Sequence, residues 1–156
     1  MDSYKKIIAG IAGIFIGAAQ IISVNAATDD VSVQTDVPVV QVSNLQYSYD
    51  QMKQDLETLQ EKYPEQMQIE SLGTTADGRE ILEAVLGDMN AEHHILVQAT
   101  MHAREYMNTV LAMNQIEDYL RYSEERSYNE TRWSELYKKV CFHVIPMVNP
   151  DGVTIS

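Results

Sequence analysis

Basic residues are scarce in this chain of 156 residues: 11 Lys and Arg stand against 23 Asp and Glu, a formal net charge of −12. A surface of that sign repels phosphate backbones and argues against a nucleic-acid binder that works through a basic patch. Cysteine is almost lacking. Cys141 alone excludes an internal disulfide, a CxxC redox pair and a cysteine-built zinc cluster. Four histidines leave few parts for a metal site. No internal repeat and no low-complexity tract is present. With 45% hydrophobic and 22% charged residues the composition is that of a globular chain, and the length is that of one domain or a piece of a larger one.

The longest apolar run is Ile7–Ile22, interrupted by Gln20. It follows Lys5-Lys6 and precedes Ser23-Val24-Asn25-Ala26-Ala27, so basic start, apolar middle and small residues describe a secretory signal peptide over 1–26, with cleavage after Ala26. The alternative is a retained anchor, but the run is shorter than the roughly 20 residues a spanning helix needs. Export places the protein outside the cell or in the cell envelope, with membrane contact only during export. Without Asp2, Lys5 and Lys6 the mature chain keeps 9 basic and 22 acidic residues, a charge of −13. Residues 27–43 are Asp-, Val- and Thr-rich without helical period, and Pro38 disfavours a central strand. They read as a linker or loosely held extended arm.

From residue 44 onward strand and helix patterns alternate. Ser48 and Gln51 form a capping-box pattern ahead of Met52, Leu56, Leu59 and Tyr63 at helical spacing, and Pro64 stops the helix. Met67–Thr74 and Glu80–Leu86 are strands joined by an Asp77-Gly78 turn, a hairpin. Ile95–Ala99 is an apolar run that predicts a strand buried on both faces. Val110, Leu111, Met113, Ile116 and Leu120 share a helix face, Arg121–Asn129 is polar and exposed, and Thr131–Lys139 predicts a further helix with Trp133 and Leu136 inward. Val140–Val148 predicts a strand, with Pro146 near its end or an edge, closed by Asn149-Pro150-Asp151-Gly152 as a type I turn. The order implies an α/β fold: a mixed central sheet with helices on both faces.

Candidate chemistry sits in Thr100-Met101-His102-Ala103-Arg104-Glu105, between a strand and a helix, where ligands gather in open α/β sheets. With Glu105 in the first helical turn, three residues from His102, imidazole and carboxylate converge on one point. Both suit Zn²⁺. The H-E-x-x-H and H-x-x-E-H zinc motifs are absent, because alanine follows His102 and tyrosine follows Glu105. A third ligand must come from elsewhere. The other candidates have plainer readings: His93 and His94 as solvated strand-edge residues, His143 as a half-buried strand residue, Cys141 as a small core residue, Tyr106 and Trp133 as packing groups.

Taken together, Ser71-Leu72-Gly73-Thr74 with Asp77-Gly78-Arg79-Glu80-Ile81, Ile95–Ala99 with His102-Ala103-Arg104-Glu105, and Ile145–Gly152 resemble the zinc carboxypeptidase family, the metallocarboxypeptidases related to carboxypeptidases A and B. The stretch Ile145–Ser156 is similar to the bacterial branch, whose members include γ-D-glutamyl-diamino-acid endopeptidases that act on cell-wall peptides. The resemblance covers 44–156. It implies that His102 and Glu105 are two zinc ligands, that Arg104 helps bind substrate, and that the substrate is a peptide or a peptidoglycan stem peptide. The family's second histidine ligand, further arginines, a tyrosine and the glutamate general base lie beyond the N-P-D-G stretch. The chain is therefore expected to be the amino-terminal part of a catalytic domain. Two functions follow as expectations: a zinc peptidase that hydrolyses peptide bonds with metal-activated water, or a catalytically incompetent fragment that keeps part of a peptide-binding cleft. A half-sheet with Val140–Val148 as an uncovered edge, too unstable to fold alone, is a third possibility.

Overall fold

The computed structural model describes residues 37–43 and 46–156. The expected signal peptide, and the first part of the expected arm, lie outside the described residues. In chain order the elements are α1 (Tyr49–Lys62), β1 (Met67–Thr74), β2 (Glu80–Leu86), β3 (His93–Gln98), α2 (Met107–Arg121), β4 (Ser127–Tyr128), β5 (Thr131–Arg132), α3 (Trp133–Leu136), β6 (Val140–Ile145) and α4 (Pro150–Ile155). No helix among the described residues is long and apolar enough to cross a membrane.

α1 starts where its cap is. The Ser48 hydroxyl accepts the Gln51 N–H at 3.2 Å. The Gln51 side chain does not close the capping box; it donates to Asp55 Oδ1 at 2.7 Å instead. Asp55 is buried and also accepts from the Tyr47 hydroxyl. Burial, and then the hydrogen bond and negative charge of Asp55, push the Tyr47 phenol far above its usual range. Met52, Leu56 and Leu59 point into the core, spaced to lie on one face.

The main sheet has four strands in the order β1-β2-β6-β3. β1–β2 and β2–β6 are antiparallel and β6–β3 is parallel, so the sheet is mixed, as expected. Leu82, Ala84, Leu86 and Val144 face α1 and α2, packing on Met52, Leu56, Leu59, Met113, Ile116 and Leu120. The opposite face carries Val85 and Cys141 with Ala91. Residues 37–43 are tied down at their centre: the N–H groups of Val39 and Val40 donate to the two carboxylate oxygens of Glu117, each at 2.9 Å, and Val40 is buried.

Four local expectations change. β3 runs over His93–Gln98 and is not buried on both faces: Ile95 and Leu96, on opposite sides, are 42% and 62% exposed. It is an end strand with β6 as its strand partner among the described residues, so its side chains reach past the helices' cover. Leu111 is 63% exposed while Val110, Met113, Ile116 and Leu120 are buried, because the core stripe of α2 continues through Ala112 and Thr109 instead. The Thr131–Lys139 helix shrinks to one turn, α3, since Thr131 and Arg132 pair with Tyr128 and Ser127. Asn129 and Glu130 take φ 47° and 65°, as a two-residue type I′ hairpin demands. Asn149-Pro150-Asp151-Gly152 opens a helix rather than closing a turn: Asn149 Oδ1 caps the Gly152 N–H at 2.9 Å and Pro150 occupies the first turn, where a missing N–H costs nothing. Pro146 follows the last residue of β6, as its missing donor requires.

Candidate functional site

Beyond β3 the chain stays bonded to the end of β6 and to the segment that follows it. Ala99 N–H donates to Ile145 C=O at 2.9 Å, Val148 N–H to Ala99 C=O at 3.0 Å, and Asn149 N–H to Thr100 C=O at 3.2 Å. Thr100 then turns the chain off the sheet at φ 53°, a left-handed conformation that a β-branched residue adopts only under constraint. The constraint is visible. Thr100 is buried, its hydroxyl donates to Glu105 C=O at 3.2 Å, and it lies 2.7 Å from the equally buried hydroxyl of Thr109.

His102 to Glu105 is a tight turn. The Glu105 N–H bonds His102 C=O at 3.0 Å, and α2 starts two residues later at Met107. Glu105 thus precedes the helix instead of occupying its first turn, because a chain of i+3 turns intervenes, with Asn108 N–H on Glu105 C=O and Thr109 N–H on Tyr106 C=O. The convergence expected of the two side chains holds all the same. His102 Nδ1 faces Glu105 Oε1 at 3.1 Å. The pair lines an open cleft of about 310 Å³ together with Gln98, Thr100, Asn108 and Leu111. At 76% and 52% side-chain exposure both groups stay open to solvent. Imidazole nitrogen beside carboxylate oxygen is a donor set that fits Zn²⁺, and such a pair would make up two of the three or more protein ligands a zinc site uses. Arg104 stands in the same turn, exposed, and is not among the residues that line the cleft.

The turn is also buttressed from the other two motif stretches. A Cβ on Gly152 would lie 2.9 Å from Ala103 Cβ and 2.6 Å from the Asn149 side chain, so α4 approaches the His102 turn as only glycine allows. The Asn149 amide donates to Met101 C=O at 3.3 Å. Two residues on, Asp151 binds the β1–β2 hairpin tip: Arg79 Nη1 lies 2.8 Å from Oδ1, the Thr75 hydroxyl donates to the same oxygen at 2.8 Å, and the Asp77 N–H donates to Oδ2 at 3.2 Å. Partial burial would raise the Asp151 pKa, but the bonds from Arg79, Thr75 and Asp77 outweigh it and hold the carboxyl below its ordinary value. Three stretches far apart in sequence therefore meet around one H-x-x-E turn.

A family model described as zinc carboxypeptidase matches residues 52–156. The chain belongs to the zinc carboxypeptidase family. Among curated relatives of this zinc carboxypeptidase chain, gamma-D-glutamyl-L-diamino acid endopeptidase 1 of Lysinibacillus sphaericus is 31% identical over 110 residues, 70% of this chain and 27% of that protein. Carboxypeptidase B of Astacus astacus is 26% identical over 107 residues, 68% of this chain and 33% of that protein. The chain thus spans about a third or less of the curated relatives it matches. The crystal structure of thrombin activatable fibrinolysis inhibitor shares the fold with TM-score 0.65 at 18% identity, over 78% of this chain and 30% of that one. Carboxypeptidase A of Helicoverpa armigera gives TM-score 0.57 at 18% identity, over 69% and 25% of the two chains. Membership makes the chain part of a zinc metallopeptidase family.

Sequence reasoning missed a second grouping. His94, read as a solvated strand-edge residue, is exposed, yet its Nδ1 lies 2.9 Å from Nε2 of His143. Cys141, fully buried as expected of a core residue, sits beside them, and burial, followed by the nearby charges of Glu83 and Asp88, raises its thiol pKa. The signal lies in strand pairing: His94 and Cys141 are register partners across β3–β6, strands separated by the whole of α2 and therefore not pairable by local pattern.

Proposed function

We propose that the protein is a zinc-dependent peptidase that hydrolyses peptide bonds, with His102 and Glu105 as two of the metal's ligands and Arg104 as a substrate-binding guanidinium. The observation that carries this reading is the 3.1 Å approach of His102 Nδ1 to Glu105 Oε1 at the edge of an open cleft. When bound, the zinc supplies Lewis-acid polarisation of the scissile carbonyl and acidifies water at neutral pH. The chain's own residues do the holding. Thr100 and Thr109 fix the turn, Gly152 and Asn149 set its distance from α4, and Arg104 offers a planar, permanently charged donor to a carbonyl or carboxylate of the substrate. The substrate class we favour is a cell-wall stem peptide, since the relative at 31% identity is named for cleavage next to a diamino acid. Export through residues 1–26 would deliver the enzyme to that substrate, and N-terminal sequencing of the exported protein should begin at Ala27.

A second reading is favoured by the count of donors: among the described residues only two ligand side chains converge at this cleft, fewer than a zinc site uses. On that reading the chain is a peptide-binding remnant. Purified exported protein is assayed on carboxypeptidase substrates and stem peptides, with metal analysis, beside His102→Ala. Chelator-sensitive turnover, lost in His102→Ala together with zinc bound at that turn, supports the peptidase. Equal zinc in both proteins and no turnover would leave the remnant.

A further inference from the structure

The sheet face turned away from α1 and α2 gathers four side chains with ligand chemistry. Alternate residues of a strand share a face, so Cys141 and His143 of β6 point the same way. Parallel register sets His94 of β3 opposite Cys141. Val85 of β2 is opposite His143, which brings Glu83, two residues earlier on the same face, within reach of the His143 ring. His94 Nδ1 and His143 Nε2 are 2.9 Å apart, and with Cys141 Sγ the ligand atoms all lie within 4.8 Å of one another. The other ring nitrogen of His143, Nδ1, is 3.3 Å from Glu83 Oε1, and Glu83 is 7% exposed.

We propose that His94, His143 and Cys141 form a second metal site, separate from the His102–Glu105 turn, that takes a borderline-soft divalent cation such as Zn²⁺, with Glu83 orienting the His143 ring. Two imidazoles and one thiol are a donor set that suits Zn²⁺ and is poorly matched to Mg²⁺ or Ca²⁺. Two nitrogens on a shared tetrahedral zinc stand about 3.3 Å apart. The present 2.9 Å contact therefore opens by only a few tenths of an ångström to admit the ion in place of the hydrogen bond between the rings, and the His94 proton moves from Nδ1 to Nε2, so that both imidazoles bind as neutral ligands. Glu83 keeps the proton of His143 on Nδ1 and leaves the Nε2 lone pair free, the carboxylate–histidine arrangement found behind metal ligands. The Cys141 thiol gives its proton to solvent and binds as thiolate. Exposed His94 leaves a fourth coordination position open to water. The two sites sit at opposite ends of β3: His94 is its second residue, and His102 lies beyond its last, Gln98. A cation here clamps the exposed strand β3 to β6.

The test is a Co²⁺ titration of the full chain carrying His102→Ala and Glu105→Gln, followed by absorption. The site gives a thiolate-to-Co²⁺ charge-transfer band that saturates at one ion per chain and is bleached by Zn²⁺. Cys141→Ser abolishes the band, and His94→Ala weakens Co²⁺ binding at least tenfold. Glu83→Gln weakens it about 10–100-fold, as loss of an outer-shell partner does. Because Cys141 is buried and its replacement can disturb folding, the exposed His94→Ala variant decides the matter. A folded protein with no charge-transfer band, or a band unchanged by His94→Ala, overturns the site. Neither result bears on peptidase activity at His102 and Glu105.

Discussion

Arg79 and Asp151 stand 72 residues apart in the chain and 2.8 Å apart in space. Their contact joins the β1–β2 hairpin tip to the first turn of α4, and α4 in turn abuts the His102 turn. A motif that looks like loop punctuation in the sequence, Asp77-Gly78-Arg79, is thereby a strut for the candidate site. Asp151 accepts from Arg79 and Thr75 on one oxygen and from the Asp77 N–H on the other, and these bonds hold its carboxyl below the ordinary value near 3.9. A carboxyl depressed in the folded state contributes stability that is present above the unfolded pKa. That stability is lost as pH falls through the folded pKa. Chemical denaturation from pH 6 to pH 2 should show stability falling below about pH 4. Asp151→Asn should start lower at pH 6 and flatten that acid limb; an unchanged limb would show that Asp151 takes no part.

Gly152 sets the spacing between α4 and the H-x-x-E turn. In Gly152→Ala the new methyl meets Ala103 Cβ at 2.9 Å and the Asn149 side chain at 2.6 Å. Overpacking of this kind costs about 1–3 kcal/mol and shifts backbone. The shift falls on the loop that carries His102, so zinc affinity should drop about tenfold or more, the scale of a disturbed ligand support. Isothermal titration with Zn²⁺ on wild type and Gly152→Ala measures it, in a Cys141→Ser background that removes the thiolate site. Equal affinities with equal thermal stability would show that α4 does not position the turn.

Glu117 is a buried carboxylate with a definite task. It is 2% exposed, accepts the N–H groups of Val39 and Val40 and lies 3.8 Å from Arg121 Nη1. Glu117→Ala leaves those N–H groups without an acceptor, at about 1–3 kcal/mol for the buried one of Val40 and less for that of half-buried Val39. The destabilisation should appear in urea unfolding. Limited proteolysis should also cut residues 37–43 faster in the variant than in wild type; identical cleavage would mean that this segment is held by its apolar contacts alone.

What the sequence makes legible is local. Ser48 caps α1, Met52, Leu56 and Leu59 follow at helical spacing, and Asp77-Gly78 turns a hairpin between strands whose bounds are those expected, because each of these signals acts within a few residues. The turn of His102 and Glu105 is legible for the same reason: three residues suffice to bring the two groups together, whether through a helical turn or through the tighter turn observed. Partnership between distant strands is not local. The parallel pairing of β3 with β6 puts His94 against Cys141 and His143, and nothing within ten residues of His94 announces it. Burial fails similarly. Ile95-Leu96-Val97 has the composition of a central strand, but the strand's place at the end of the order β1-β2-β6-β3 leaves it exposed.

Two leucines, Leu56 and Leu111, separate pattern from packing, since both sit in apolar helical stripes. Leu56 is 0% exposed against the sheet, whereas Leu111 is 63% exposed at the cleft. Truncating a buried leucine removes its transfer free energy and leaves a cavity, together about 2–5 kcal/mol. An exposed one away from special features changes stability by no more than about 0.5 kcal/mol. Urea unfolding of Leu56→Ala and Leu111→Ala should therefore differ by several-fold in lost stability. Leu111 also lines the cleft beside His102, Glu105 and Asn108, so its truncation should leave the fold intact and, on the proposed peptidase reading, weaken peptide binding at that cleft. Comparable destabilisation by the two variants would mean that another surface covers α2 on the Leu111 side in solution.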